Sequence, residues 1–483
     1  MSRETAVTVL EMQPVLRQIN LKVESLEHKS TLAPLKTSDD SVIKPRSACM
    51  DGTRQHTLSK VVEWIIFGKE PVLWLSGVAG CGKSSIMGSL SDLCLKMGSI
   101  NHLAAFIRFD HGGFNDASLF VSALAYQIAK IDGVLQSAIA GALAQNQGIL
   151  SHTQISEHWN TLLQNPLSEY SKIHDSGPVV VLVDALDECA AKSDNSHAPK
   201  QDNPRKQLLR LITSGFTREF PFIRFIITSR PEDDIRIAFT ACPDLIHHIP
   251  LDISSPETVA DIRHFLKTSL DEVADEDFIK LYQKDNNSAL QELSQKASGL
   301  FIWASVVADF LKSSSYKRLQ KLLASKDHNP HTPQAPSFIA LTTLYKTALG
   351  SIVGEDDRDI KEDINTLLCF LIVLGNIGES DLGDGLALMG IHNYDELLGK
   401  IGSLLIKSDG RNRFGETQKQ VGLLHKSLVD FLVDESASGA VMQGESWYID
   451  FSWACEKLFV AHAEYLHQSW GMLLFFYLSM TWQ

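Results

Sequence analysis

Residues Gly77–Ile86 read GVAGCGKSSI. Gly77, Gly82, Lys83 and Ser84 fall in the spacing G-x-x-x-x-G-K-S, the pattern of a phosphate-binding loop (P-loop). The stretch follows an apolar run, PVLWLS, and opens the helical pattern KSSIMGSLSDLCLKM. A strand thus feeds a glycine-rich turn that feeds a helix, which is the setting this chemistry requires. Glycines let the chain fold tightly, so that the N–H groups of Val78, Ala79, Gly80, Cys81 and Gly82 converge with the helix's positive end on phosphate oxygens. Lys83 would reach the β- and γ-phosphates, Ser84 would ligate Mg²⁺, and Ser85 completes the set. An ordinary glycine-rich turn is the alternative, and the flanking strand and helix weigh against it. The spacing does not fit G-x-G-x-x-G, which sets a Rossmann dinucleotide site aside.

Outward from this loop, short runs rich in β-branched residues alternate with longer helical patterns. PVLWLS, HLAAFIRF, PVVVLVD, FIRFIITS and LIHHIPLD are each nearly continuous in apolar residues, as strands buried on both faces should be. The expected fold is α/β, a parallel five-stranded sheet covered by helices. Such a loop needs an acid on a neighbouring strand to hold Mg²⁺ through water, and VVVLVDALDEC supplies Asp184 at a strand's carboxyl edge, where ligands of open α/β sheets bind. Asp187 and Glu188 follow within reach and are candidates to orient or deprotonate an attacking water. FIRFIITSRP brings Thr228, Ser229 and Arg230 to the same edge, where Arg230 is a candidate to sense a γ-phosphate; a surface arginine at a strand end before proline is the alternative. Cys81 is read as packing rather than redox chemistry, although a helix N-terminus lowers thiol pKa values.

The chain has 483 residues, 44% of them apolar, enough for several cores. Lys plus Arg is 44 against 58 Asp plus Glu, with no basic cluster, which disfavours sequence-nonspecific binding to nucleic acid or anionic membrane. Seven scattered cysteines without a C-x-x-C pair read as reduced thiols of a cytoplasmic protein. The N-terminal apolar run breaks at Glu11, too early for a signal peptide, and GMLLFFYLSM is about half of the roughly 20 residues a spanning helix needs. AKSDNSHAPKQDNP, between the third and fourth strands, reads as an exposed loop. After about Ser255 helices take over: ETVADIRHFLKTSL, then SGLFIWASVVADFLKS, whose Phe, Ile and Trp residues read as core. Beyond the loop 329–337, DINTLLCFLIVLG opens a further unit that ends in two short strands, SLLIKSD and KQVGLL, and the helix HKSLVDFLVD. No period of 20 to 50 residues is present.

Together these motifs resemble the NACHT class of STAND signal-transduction NTPases, fungal members in particular. Ala185 directly after Asp184, with Asp187 two positions on, resembles the class's form of the acidic motif. SRPEDDIR, ALAYQIA and GLFIWA are similar to fungal members, and LLHKSLVDFL to the winged-helix signature H-x-S-[FL]-x-[DE]-F-L. The resemblance runs from about Cys49 through Asp434. It implies an N-terminal segment (1–50), a NACHT NTPase domain (51–254), a helical domain (255–328), a winged-helix domain (338–436) and a C-terminal tail (437–483) that matches nothing. It also places His425 against the β-phosphate of bound ADP; the alternative is a histidine satisfied within its own domain. Family members often carry an effector domain before this core and WD or ankyrin repeats after it. Here a bare switch or a fragment is expected. The function implied is a switch that binds ATP or ADP with Mg²⁺, hydrolyses slowly, forms a homo-oligomer on activation and signals to protein partners, as in fungal innate immunity or incompatibility. GTP stays open as the nucleotide. An ATPase working by turnover is the enzyme alternative. A winged-helix DNA regulator is the other, weakened because NYDELLGKIGSLL, where a recognition helix would lie, is not basic enough.

Overall fold

The computed structural model describes residues 28–36, 47–97, 102–110, 116–146, 148–151, 155–168, 178–189, 204–216, 220, 222–271, 288–311, 319–320, 322–323, 336–352, 358–411, 417–438 and 446–459. The loop expected after Cys189 and that at 329–335 lie outside these residues, as does most of the N-terminal segment. The chain divides into two compact units: Met1–Cys49, His56–Gly77 and Lys83–Pro250 form the first, and Met50–Gln55, Val78–Gly82 and Leu251–Gln483 the second.

All the expected strands of the first unit are present: β1 Val72–Ser76, β2 His102–Arg108, β3 Val179–Asp184, β4 Ile223–Ser229 and β5 Ile246–Pro250. They form one parallel sheet in the order β2-β3-β4-β1-β5. β1 and β3 are buried along their whole length, which explains their unbroken apolar sequence. One expectation is corrected. The acid-bearing β3 is not the neighbour of β1, because β4 pairs with both and lies between them. Crossover connections fix handedness but not which strand they skip, so the order was not readable from the run of strands.

Helix α1 (Gln55–Phe67) enters the sheet, and α2 (Lys83–Met97) packs on β2, β3 and β4. The last carbonyls of α1 are capped by Arg224 of β4, which donates to Trp64 O at 3.2 Å and Gly68 O at 2.7 Å, a cation at the negative end of the helix. Helices α3 (Ala117–Ile128), α4 (Gly133–Gln145), α5 (Pro204–Arg210) and α6 (Asp233–Thr240), with the helical stretch 155–168, pack in the same unit.

In the second unit, α7 (Pro256–Asp271), α8 (Ser288–Lys296) and α9 (Phe301–Leu311) are followed by α10 (Pro336–Ile352) and α11 (Arg358–Leu374). Ile364, Leu367, Leu368 and Leu371 of α11 are buried at the spacing of one helical stripe. Next come α12 (Glu379–Leu388), α13 (Tyr394–Lys400), an antiparallel hairpin of β7 (Leu405–Arg411) and β8 (Thr417–Leu423), and α14 (Lys426–Val433). A two-residue strand, β6 (Ile377–Gly378), extends the hairpin to the order β6-β8-β7; it is too short to leave a sequence signal. The described part of the tail belongs to this core: Trp447, Ile449 and Ala454 are buried, and Ile449 N–H donates to Leu432 O at 2.8 Å.

Candidate nucleotide site

The carboxyl edge of the sheet gathers the predicted acids. Asp184 ends β3 fully buried, and its Oδ1 accepts the Thr228 hydroxyl at 2.6 Å. Its Oδ2 is buried and meets no hydrogen-bond donor among the described residues. A carboxylate oxygen left in this state is costly unless a cation or a bound water faces it. Ala185 follows in the left-handed region, φ 57° and ψ 48°, with its N–H on Thr228 Oγ1 at 3.0 Å. The chain therefore turns sharply as soon as the acid is placed. Arg108 lies beside Asp184 in strand register and is 8% exposed, a charged residue at this edge that the sequence reading passed over inside a strand.

Asp187 and Glu188 lie in the single 3-10 turn Leu186–Glu188. Asp187 is only 6% exposed, and Arg230 holds it: the Arg230 N–H donates to Oδ1 at 3.0 Å and Nε stands 3.4 Å from Oδ2. The two residues, assigned separate tasks from sequence, form one pair. Glu188 is half-buried. Under this turn lies Arg205 of α5, also missed, whose Nη1 donates to Asp187 O at 2.9 Å.

Lys83, Ser84 and Ser85 occupy the first turn of α2, all half-buried. Lys83 Nζ donates to Gly77 O at 2.7 Å, so its ammonium is drawn back over the start of the loop. Gly77 N–H continues the β4 ladder to Ser229 O at 3.2 Å.

The crown of the loop, Val78–Gly82, belongs to the second unit and is held within it. Gly80 and Gly82 have φ of +75° and +95°, and a Cβ on Gly80 would collide with Ile302 Cγ2. The Ile302 N–H at the start of α9 donates to Gly80 O at 3.1 Å. Arg54, 5% exposed, donates from Nη2 to Cys81 O at 2.6 Å and from Nη1 to Thr258 Oγ1 at 2.9 Å, and its guanidinium carbon lies 4.7 Å from the Phe301 ring centroid. Phe301 and Ile302 pack against the core as expected and also cover the loop, whereas Trp303 lies fully inside that core. Cys81 is fully buried, in keeping with its packing role.

His425 is the N-cap of α14: Nδ1 accepts from Ser427 N–H at 3.0 Å and lies 2.8 Å from Ser427 Oγ, which in turn lies 2.8 Å from the Tyr345 hydroxyl. One ring nitrogen is thus engaged within its own unit.

The donor set suits Mg²⁺: an orphaned, buried carboxylate oxygen on Asp184 and a hydroxyl, Ser84, directly after the loop lysine. Residues 52–230 match the family model described as nephrocystin 3, N-terminal. This segment has the α/β fold of a P-loop NTPase. No curated protein matches the chain. Solved structures similar to it include a Walker-type ATPase of Pyrococcus abyssi, at 13% identity over 80% of this chain and 97% of that one with a TM-score of 0.36. A STAND protein with a tetratricopeptide repeat sensor from Pyrococcus horikoshii matches at 12% identity over 88% of this chain and 46% of that one, with a TM-score of 0.43. Drosophila ORC bound to DNA matches at 14% identity over 82% and 88%, with a TM-score of 0.32. With scores this low, the assignment of the NTPase domain rests on its own sheet order, loop and family match. Among the described residues no helix is long and apolar enough to cross a membrane, and all seven cysteines are free thiols.

Proposed function

We propose that the chain is a nucleotide-dependent switch: closed with ADP, opened and self-associating when ATP replaces it, and reset by slow hydrolysis. The observation that carries this reading is the grip on Val78–Gly82 by Arg54 and by the start of α9. A ligand biases a conformational equilibrium only through contacts that differ between its states. Phosphates seated on the loop amides would bear on backbone that the second unit holds, and would draw Lys83 away from Gly77 O.

In this reading Gly77–Ser85 cradle the phosphates, and Ser84 with Asp184 hold Mg²⁺, which supplies charge neutralisation on phosphate oxygens. Thr228 keeps Asp184 oriented by filling one of its oxygens. Arg230 senses the γ-phosphate, and Asp187 aims Arg230. Glu188, less enclosed than Asp187, is the better placed of the two to orient water. Residues 338–436 act as a winged-helix domain, and His425 reaches the β-phosphate through Nε2 while Nδ1 caps α14. A cytoplasmic location and unidentified protein partners complete the reading. Identification of the nucleotide released on denaturing freshly purified protein tests it. Stoichiometric ADP is expected; protein that is empty and has no affinity for Mg-ADP contradicts it.

A further inference from the structure

Arg205 comes from a stretch, DNPRKQLL, with no recognisable motif, yet it is 5% exposed and ties two parts of the site together. On one side its Nη1 donates to the carbonyls of Asp187 at 2.9 Å and Cys189 at 3.3 Å, the backbone of the acidic turn. On the other, Nε and Nη2 form a fork on Asp234, at 2.8 and 3.0 Å, and Nη2 also meets Glu232 at 2.8 Å. Glu232 and Asp234 flank the start of α6, two and four residues after Arg230. Burial opposes the guanidinium charge, but Asp234 and then Glu232 more than offset it and hold its pKa above the usual arginine value.

We propose that Arg205 is a positioning residue for nucleotide hydrolysis, fixing the turn that carries Asp187 and Glu188 to the segment that carries Arg230. The inference rests on the nucleotide-site reading above. Thr228 ties the strand end at Asp184 and Ala185 to β4, and Arg230 meets Asp187 through its backbone N–H and Nε, so these contacts hold the turn on the side of the strand ends. Arg205 holds it from the side of α6, through bonds to backbone on one side and to two carboxylates on the other. Only a planar guanidinium serves both at once, since an ammonium offers no fixed fork.

The test uses Arg205→Lys, which keeps a cation between the carboxylates, and Asp234→Asn, which loosens the fork from the other side. Single-turnover ATP hydrolysis, Mg-ADP affinity and thermal unfolding are measured on the full chain. Expected is a loss of hydrolysis of about 10- to 100-fold, as for small misplacements of reacting groups, with Mg-ADP affinity within about twofold of wild type. The ATP-to-ADP affinity ratio should narrow in both variants, because Arg230 is the sensor being aimed. If Arg205→Lys fails to fold, Asp234→Asn and Glu232→Gln, altered at partly exposed carboxylates, carry the same prediction. Unchanged hydrolysis in the folded variants overturns the inference, as does an equal loss of Mg-ADP affinity, which would mark Arg205 as structural. A wild-type chain that binds no nucleotide overturns the reading beneath the inference and the inference with it.

Discussion

Asp184 uses its two oxygens differently. Oδ1 is fixed by Thr228, which leaves Oδ2 buried and without a hydrogen-bond partner among the described residues. In the proposed reading Asp184→Asn replaces a charge that serves the ligand, and Lys83→Ala removes a half-exposed ammonium; neither opens a core cavity. Both variants should unfold within a few degrees of wild type while Mg-nucleotide affinity falls by at least about tenfold, the worth of one charge-assisted contact. Calorimetric affinities unchanged in both would remove the phosphate site. Ala185 presents a different kind of constraint, a left-handed backbone on a residue with a Cβ. Ala185→Val should destabilise by about 1–2 kcal/mol or more, because a β-branched side chain crowds the carbonyl in that region, while Ala185→Gly should be neutral or slightly stabilising. Chemical denaturation of the pair tests this, and equal stability of the two variants would contradict it.

At the scale of elements, the meeting of the loop crown with the start of α9 is the sharpest constraint. Gly80→Ala encounters both a positive φ and the Ile302 side chain. It should therefore lower stability and nucleotide affinity together, and adding Ile302→Ala should recover only part of the loss, since truncation relieves the collision but not the backbone. Full recovery in the double variant would show that φ is not limiting. The far side of β1 carries a pH-dependent feature. His248 of β5 stacks on Trp74 at 4.2 Å, and its Nε2 lies 2.8 Å from Ser76 Oγ. Burial, and then the neighbouring His247, lowers its pKa below the ordinary 6.5. The unfolded chain then takes up this proton first as pH falls. The stability His248 contributes is complete above about pH 6.5 and is lost as pH drops through the lower, folded value. Urea unfolding at pH 7.5 and pH 5 should show wild type losing more stability than His248→Gln; parallel losses would remove His248 as the source.

Across the whole molecule, what the sequence disclosed divides by range. β1, β3 and β4 were legible because doubly buried strands leave unbroken apolar runs, whereas β5, an edge strand buried only at Ile246, departs from that expectation; the loop was legible because G-x-x-x-x-G-K-S is local in the chain. Asp184 and Arg230 were legible because a polar residue closing such a run must emerge at the sheet edge. The strand order, the pairing of Asp187 with Arg230 and the roles of Arg54 and Arg205 were not, because each depends on partners far along the chain. Arg54 and Thr258 are 204 residues apart, and nothing local to DGTRQHTL announces that contact. The composition of GLFIWA announces core packing, which holds for Phe301, Ile302 and Trp303, but not that Phe301 and Ile302 also meet the loop glycines.

In the proposed switch, nucleotide identity sets the state of the chain, which molar mass by light scattering reads on protein loaded either with Mg-ADP or with a non-hydrolysable Mg-ATP analogue. Taking a two-state equilibrium from 99:1 to 1:99 requires about 5.5 kcal/mol of differential binding, enough to convert nearly the whole population. A monomer with ADP and a defined larger species with the ATP analogue are expected, reversed on exchange back to ADP. The same mass in both nucleotides, with steady-state turnover well above one per minute, would contradict the switch and mark the chain as an ATPase that works by turnover.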